Sequence, residues 1–232
     1  MKFIIRAVDR FCAKHPRFGI PNLMLFIVIG NAIVYLFSMM DTTGLFRGYL
    51  YFIPSRIVAG EVWRLFTFVL IPQGGNVFFV ALFLYFYYFI GNTLENTWGS
   101  GKFTIYYFSG VILNVIFGFL VWGITGASSI AAGLDSHYIN LSMFFAFATL
   151  YPDTRVMLFF FIPIKIKWLA LVNALYFLYI FRITSFPMNF LPIIAILNYL
   201  VFCREDLSRT LRPMKYRMSR QNMSFKSKVK KA

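Results

Sequence analysis

The sequence predicts an all-α integral membrane protein, a six-transmembrane-helix bundle with an interfacial first loop. Of its 232 residues, 59% are hydrophobic and only 13% are charged, whereas a soluble domain carries about 25% charged residues. The hydrophobic residues form long uninterrupted blocks rather than the alternating pattern of membrane strands. Because every backbone N–H and C=O in lipid needs a partner within the protein, these blocks predict helices.

Six blocks are apolar enough to be transmembrane helices, which need roughly 20 such residues. The fourth block has only about 14 residues and crosses roughly 21 Å at 1.5 Å per residue. We therefore expect it in the middle of the bundle, shielded by longer neighbours. The predicted spans are Ile20–Met40, Val77–Leu94, Phe103–Thr125, Tyr138–Tyr151, Lys167–Phe181 and Asn189–Cys203.

The composition outside the spans divides the chain into a basic leader (1–18), a membrane domain (19–203) and a basic tail (204–232). The segment Asp41–Arg64 is too polar to cross a bilayer and too aromatic to lie free in water, so it predicts a loop in the membrane interface. The tail has few large apolar residues, and we expect about its last fifteen residues to be disordered.

Positive charge is concentrated at the two ends of the chain, whose net charge is +15. If the N-terminus is inside, the inner segments contain 19 Lys and Arg residues and the outer segments contain four. This asymmetry predicts that both termini are cytoplasmic. Since a basic residue near an anionic leaflet contributes about 1 kcal/mol, we expect both termini to contact anionic lipid, and we expect no nucleic acid partner.

The residues that commonly bind metals are few and scattered. Cys12 and Cys203 lie at the predicted cytoplasmic boundary, and their spacing indicates neither a metal site nor a disulfide. The two histidines, His15 and His137, are far apart in the sequence and add no ligand cluster. We therefore expect neither a metal nor a cofactor.

Two motifs are more specific than the spans. Gly60–Thr67 reads G-E-V-W-R-L-F-T at the end of the first loop, and Leu94–Gly99 reads L-E-N-T-W-G between spans two and three. With the connection from Phe147 to Leu169, these motifs resemble the rhomboid family of intramembrane proteases over about residues 20–203. The resemblance implies the six-helix rhomboid fold.

Four motif residues are interpreted as fold residues: Trp63, Arg64, Glu95 and Gly99. The ring of Trp63 suits the headgroup level, and Arg64 beside it can reach a phosphate or a loop carbonyl. Glu95 lies at the inner end of span two, where a carboxylate is unfavourable unless it is paired or hydrated. Lys102 or a neighbouring backbone N–H is its expected partner.

The resemblance also implies where a protease would hold its catalytic pair: a serine in G-x-S-G at the start of span four and a histidine in A-H-x-x-G on span six. Here the serine position falls near Ser136 and His137, with no glycine after the serine, and Ile196 occupies the histidine position. A serine needs a base within hydrogen-bond reach, and isoleucine cannot accept a proton. The sequence therefore predicts no catalytic residue and a rhomboid-like pseudoprotease rather than an enzyme.

One alternative stays open, namely an intramembrane serine protease with a divergent active site that uses Ser136. Asp135, Ser136 and His137 are consecutive. On a helix they would point about 100° apart, which disfavours a stacked triad. A surface loop cluster is the preferred interpretation of these three residues.

The favoured functional hypothesis is an inactive protein that binds or chaperones transmembrane helices of other proteins, through the gap between spans two and five that the resemblance implies. A transporter is not favoured, because no span contains an internal acid or base and no repeat is visible. Polar residues inside spans are functional candidates, and Asn140, Ser142 and Asn198 are predicted to form a central cluster. The remaining intramembrane polar candidates are Asn31, Asn114 and Asn173.

Overall fold

The computed structural model describes residues 2–41, 43–73, 75–126, 136–158, 162–183, 190, 193 and 195–203. In chain order its helices are α1 (Lys2–Lys14), α2 (Leu23–Met40), α3 (Leu45–Leu50), α4 (Pro54–Val58), α5 (Arg64–Thr67), α6 (Val77–Trp98), α7 (Ser100–Thr125), α8 (His137–Leu150) and α9 (Ile166–Ile183). A 3-10 turn (Phe68–Leu70) follows α5. Residues 195–203 are also helical and are called the final helical segment below.

Four of these helices are long and apolar enough to cross a membrane, namely α2, α6, α7 and α9. They coincide with predicted spans one, two, three and five. The sixth predicted span, Asn189–Cys203, is described only in part, so the described residues do not establish its length. The segment after α7, the tail 204–232 and Asp135 lie outside the described residues.

The fourth predicted span corresponds to α8, which has 14 residues. Most of its side chains are buried, from Ile139 through Thr149. It packs against α6, α7 and α9. Neighbouring helices therefore cover α8 on several sides, as its short length led us to expect.

The turn between α6 and α7 is shorter than predicted. We expected spans two and three to end at Leu94 and begin at Phe103, but α6 continues to Trp98 and α7 begins at Ser100. The polar residues after Leu94 do not end α6, because a polar side chain can bond within the helix. Thr97 Oγ1, for example, donates to the Thr93 carbonyl. Gly99 ends it with φ of 84°, a backbone conformation that favours glycine.

Two elements were absent from the sequence prediction. The leader forms the helix α1, and the connection after α8 contains an antiparallel hairpin of β1 (Arg155–Leu158) and β2 (Ile162–Lys165). Asp153 precedes this hairpin and accepts hydrogen bonds from Lys167 and Lys165, which lower the pKa of its carboxyl.

The predicted interfacial loop is folded rather than extended, because it contains α3 and α4 and ends at the start of α5. The core beneath it is aromatic. Phe52 from the loop packs edge-on against Phe68 and Phe119, with ring centroids 5.7 Å apart in both pairs. These contacts join the first loop to α7.

Candidate functional site

The first motif holds the C-terminal end of α3. Arg64 Nη1 donates to the carbonyls of Gly48, at 2.6 Å, and Tyr51, at 2.9 Å. Trp63 Nε1 donates to the Tyr49 carbonyl at 3.2 Å, and Thr67 donates to the Leu50 carbonyl at 3.1 Å. Helix ends leave such carbonyls without intrahelical partners. The loop carbonyl expected for Arg64 is therefore present.

The second motif joins three chain segments at Glu95, which is 6% exposed. Glu95 Oε1 accepts hydrogen bonds from the backbone N–H of Asn22, at 2.8 Å, and from Ser100 Oγ, at 2.7 Å. Of the two expected partners, a backbone N–H is present, whereas the prediction of Lys102 is wrong, because Lys102 Nζ instead pairs with Asp9 Oδ1 at 2.8 Å. The carboxylate therefore links the start of α2, the end of α6 and the start of α7.

A polar network crosses the bundle between α7, α8 and the final helical segment. Ser109 Oγ donates to Asn198 Oδ1 at 2.8 Å. Asn198 Nδ2 donates to the Tyr106 carbonyl and to Ser142 Oγ, and the Tyr106 hydroxyl is hydrogen-bonded to Ser142. Tyr106 and Ser109 were not singled out as site residues, although both lie in the sequence that follows the second motif.

The predicted three-residue cluster is divided, because Asn140 does not join Ser142 and Asn198 in this network. Asn140 and Ser142 are two positions apart on α8, so their side chains point to different sides of the helix. Asn140 Oδ1 is buried without a hydrogen-bond partner among the described residues. Its side chain lines a small polar recess together with Asn31, Gln73 and Ser136.

Two further intramembrane polar candidates, Asn114 and Asn173, donate hydrogen bonds within their own helices. Asn114 donates to the Gly110 carbonyl and Asn173 donates to the Leu169 carbonyl.

The resemblance implies a catalytic pair near Ser136, His137 and Ile196. In the structure these side chains contact other groups. Ser136 Oγ donates to the Ile71 carbonyl at 3.5 Å, and His137 Nδ1 lies 3.1 Å from Gln73 Oε1. Ile196 is half-buried and packs against the hydrophobic core. Gln73, which the sequence did not single out, is therefore one hydrogen-bond partner of the His137 ring.

Beside the polar recess lies a larger, mainly apolar cavity of about 310 Å³ between α6, α8 and α9. Its apolar wall includes Leu82, Phe83, Phe86, Leu141, Phe144 and Leu169. Gln73, His137, Asn173 and Tyr87 are the lining residues with polar groups. The Gln73 side chain borders both the cavity and the recess, and its Nε2 is buried without a partner among the described residues.

The cavity exists because α8 keeps α6 and α9 apart. α8 packs against both helices, whereas α6 and α9 make few direct contacts with each other in the described residues. The unpaired amide donor of Gln73 therefore borders an apolar space that can hold side chains or part of a lipid, whereas the unpaired oxygen of Asn140 lies in the adjoining recess. Among the described residues, no group of three His, Cys, Asp or Glu side chains could hold a metal ion.

A protein family model matches residues 21–206, which is most of the chain. The chain belongs to the family described as eukaryotic integral membrane protein (DUF1751). The family assignment agrees with a multi-pass membrane protein, and its match covers the predicted spans except for the first residue, Ile20. Membership of this family does not specify an activity. No curated protein and no solved structure was found to match the chain.

Proposed function

We propose that this family member is a catalytically inactive, rhomboid-like membrane protein that binds transmembrane helices of other proteins in the cavity between α6, α8 and α9. The observation that carries the proposal is the apolar cavity of about 310 Å³ with buried polar groups at its border. The cavity is partly open toward the outside of the bundle, so an apolar segment can enter it from the side. A space of this size between three apolar helices is suited to an occupant.

The polar groups define what the occupant should carry. Gln73 Nε2 can donate one hydrogen bond, and Asn140 Oδ1 can accept one. No charged residue contributes to the wall of the cavity or of the recess. A client helix with an uncharged amide or hydroxyl side chain near the outer third of its span fits this arrangement.

Inactivity is proposed from the residues at the protease position. The hydroxyl of Ser136 donates to the Ile71 carbonyl. Ile196 stands where the resemblance to rhomboid proteases implies the histidine base. A serine that lacks a base remains a weak nucleophile. A fluorophosphonate probe should therefore label the wild type and Ser136→Ala equally. Labelling that disappears in Ser136→Ala would instead support the alternative of a divergent serine protease.

Site-specific photocrosslinking in cells tests the client site. A photoreactive phenylalanine analogue at Phe83, which lines the cavity, should form adducts with transmembrane peptides of other proteins. The same analogue at Phe78 is the matched control, because Phe78 is exposed on the same helix and lies outside the cavity wall.

A cavity-filling substitution separates binding in the cavity from chance contact. Leu169→Trp, on the cavity wall, should abolish the adducts at position 83, whereas Leu171→Trp, an exposed position on the same helix, should leave them unchanged. The proposal is wrong if position 83 captures only lipid, if position 78 captures the same peptides, or if Leu169→Trp has no effect.

A further inference from the structure

The leader helix α1 separates its apolar and basic residues onto different faces. Ile5 is buried and Val8 packs against the core, so this side faces the bundle. Arg6, Arg10 and Lys14 repeat at four-residue intervals, which places them along one stripe of the helix. All three side chains are exposed.

Three contacts hold the leader and the two residues after it, Gly19 and Ile20, against α7. Lys102 on α7 pairs with Asp9 at 2.8 Å, and the Ile20 backbone N–H donates to Thr104 Oγ1 at 3.0 Å. Gly19, with φ of 116°, lies so close to Gly101 that an added Cβ would be 2.6 Å from the Gly101 nitrogen. Asp9 is the single acidic residue of segment 1–18, and among the described residues its ion pair is with Lys102 rather than with a cation of the segment.

The turn after α1 forms a concavity of about 520 Å³, lined by Lys14, His15 and Arg17 together with Phe11 and Phe18. The two phenylalanine rings meet edge to face with centroids 5.0 Å apart. Both are 42% exposed. Aromatic rings beside basic side chains are typical of segments that lie at the boundary between headgroups and acyl chains.

The position of the concavity along the bundle supports the same environment. The turn precedes α2 by a few residues, and Gly19 contacts the first residues of α7. Both helices are candidate membrane spans, so the concavity lies at the level where their ends meet the lipid headgroups. The charge distribution predicts that this side is cytoplasmic, and the cytoplasmic leaflet contains the anionic lipids.

We propose that this concavity binds the phosphate-bearing headgroup of an anionic phospholipid, with Lys14 and Arg17 against the headgroup and Phe11 and Phe18 beside the upper acyl chains. Charge complementarity commits the site to an anionic membrane lipid, because its lining contains basic and no acidic residues. The site is separate from the cavity between α6, α8 and α9, so either proposal can fail without the other.

The test uses the purified full-length protein in nanodiscs that contain photoreactive phosphatidylserine or photoreactive phosphatidylcholine. Adducts are located by mass spectrometry after digestion with a protease that does not cut at basic residues. Phosphatidylserine should label residues 11–18 more strongly than phosphatidylcholine does. Adducts on the basic tail serve as an internal reference, because the tail is expected to attract the same lipids.

The double variant Lys14→Ala/Arg17→Ala should reduce phosphatidylserine labelling of residues 11–18 about 25-fold, because each basic residue near an anionic surface strengthens binding about fivefold. Labelling of the tail should not change. The control Arg155→Ala/Arg182→Ala removes two exposed arginines elsewhere and should leave labelling of residues 11–18 unchanged. Equal labelling by both lipids, or full labelling of the double variant, overturns the proposal.

Discussion

At the residue scale, Arg64 is enclosed completely by the protein and has 0% of its surface exposed. Its guanidinium satisfies two carbonyls at the end of α3 and pairs with Glu61. The geometry needs a planar group with several donors, which lysine does not provide. Glu61 also pairs with Arg56, whose side chain is 56% exposed. The two arginines therefore share one acid in very different surroundings.

We predict that Arg64→Ala lowers the free energy of unfolding by about 3 kcal/mol, because the space of a fully buried side chain is emptied and its partly buried partners, Glu61 and two carbonyls, lose their hydrogen bonds. Arg56→Ala is the matched control and should change it by less than about 1 kcal/mol, as is usual for exposed ion pairs. Denaturant unfolding in detergent micelles measures both values. Equal losses in the two variants would contradict the role assigned to Arg64.

Glu95 illustrates what residue-level reasoning can and cannot supply. A carboxylate in an apolar helix must have partners, and the sequence indicated this requirement correctly. Lys102 was the wrong choice of partner. It is close to Glu95 in the sequence, but it pairs with Asp9 of the leader. The actual donors include the backbone of Asn22, 73 residues away. Only the packing of α2 against α6 makes that contact possible.

At the element scale, α2 and α6 are in close contact at Gly91. A Cβ built on Gly91 would lie 2.5 Å from Met24 Cγ and 2.7 Å from Met24 Cβ. Glycine therefore permits the close contact between the two helices, as small residues commonly do between membrane helices. Gly123 on α7 has no atom within 4 Å of its built Cβ, so it has no such packing role in the described structure.

We predict that Gly91→Ala destabilises the protein by about 1–3 kcal/mol, since an added methyl group overpacks the contact. Gly123→Ala should be neutral or stabilising by up to about 1 kcal/mol, because alanine favours helix more than glycine does. Thermal unfolding of the purified variants compares them. Combining Gly91→Ala with Met24→Gly should relieve the clash, because glycine removes both the Cβ and the Cγ of Met24. Strictly additive losses would argue against direct contact.

Element boundaries were harder to predict than the presence of the elements. The four long apolar helices follow from composition alone. The ends of α6 and α7 differ from the prediction, because polar residues continue a helix when their side chains bond within it or across the bundle. The sequence of the β1–β2 hairpin shows no clear alternation of polar and apolar residues, because each strand has only four residues.

At the scale of the whole molecule, the described helices place α1 and the hairpin toward one end of the bundle and α3, α4 and α5 toward the other. This follows from the direction of the candidate span α2 and of the shorter helix α8. α2 leads from the leader to the first loop, and α8 leads from Ser136 to the hairpin. The distribution of basic residues predicts that the end with α1 is cytoplasmic.

We predict that an N-glycosylation acceptor on a flexible spacer inserted after Gly60 is modified in cells, because Gly60 is exposed in the first loop. The same cassette inserted after Asp153 should stay unmodified, and tags at both termini should bind antibody when only the plasma membrane is permeabilised. Gel mobility before and after glycosidase treatment provides the measurement. Glycosylation after Asp153 would reverse the predicted orientation.

The amino-acid sequence by itself determined the membrane class, the position of four long spans, a short shielded fourth helix and the two motifs. These features depend on local composition and hydropathy, which any segment carries within itself. Tertiary structure alone decided that Asn140 separates from Ser142 and Asn198, that Gln73 is a hydrogen-bond partner of His137, and that a cavity remains between α6, α8 and α9. Those outcomes depend on which helix faces which neighbour, because residues distant in sequence become partners only after the helices pack.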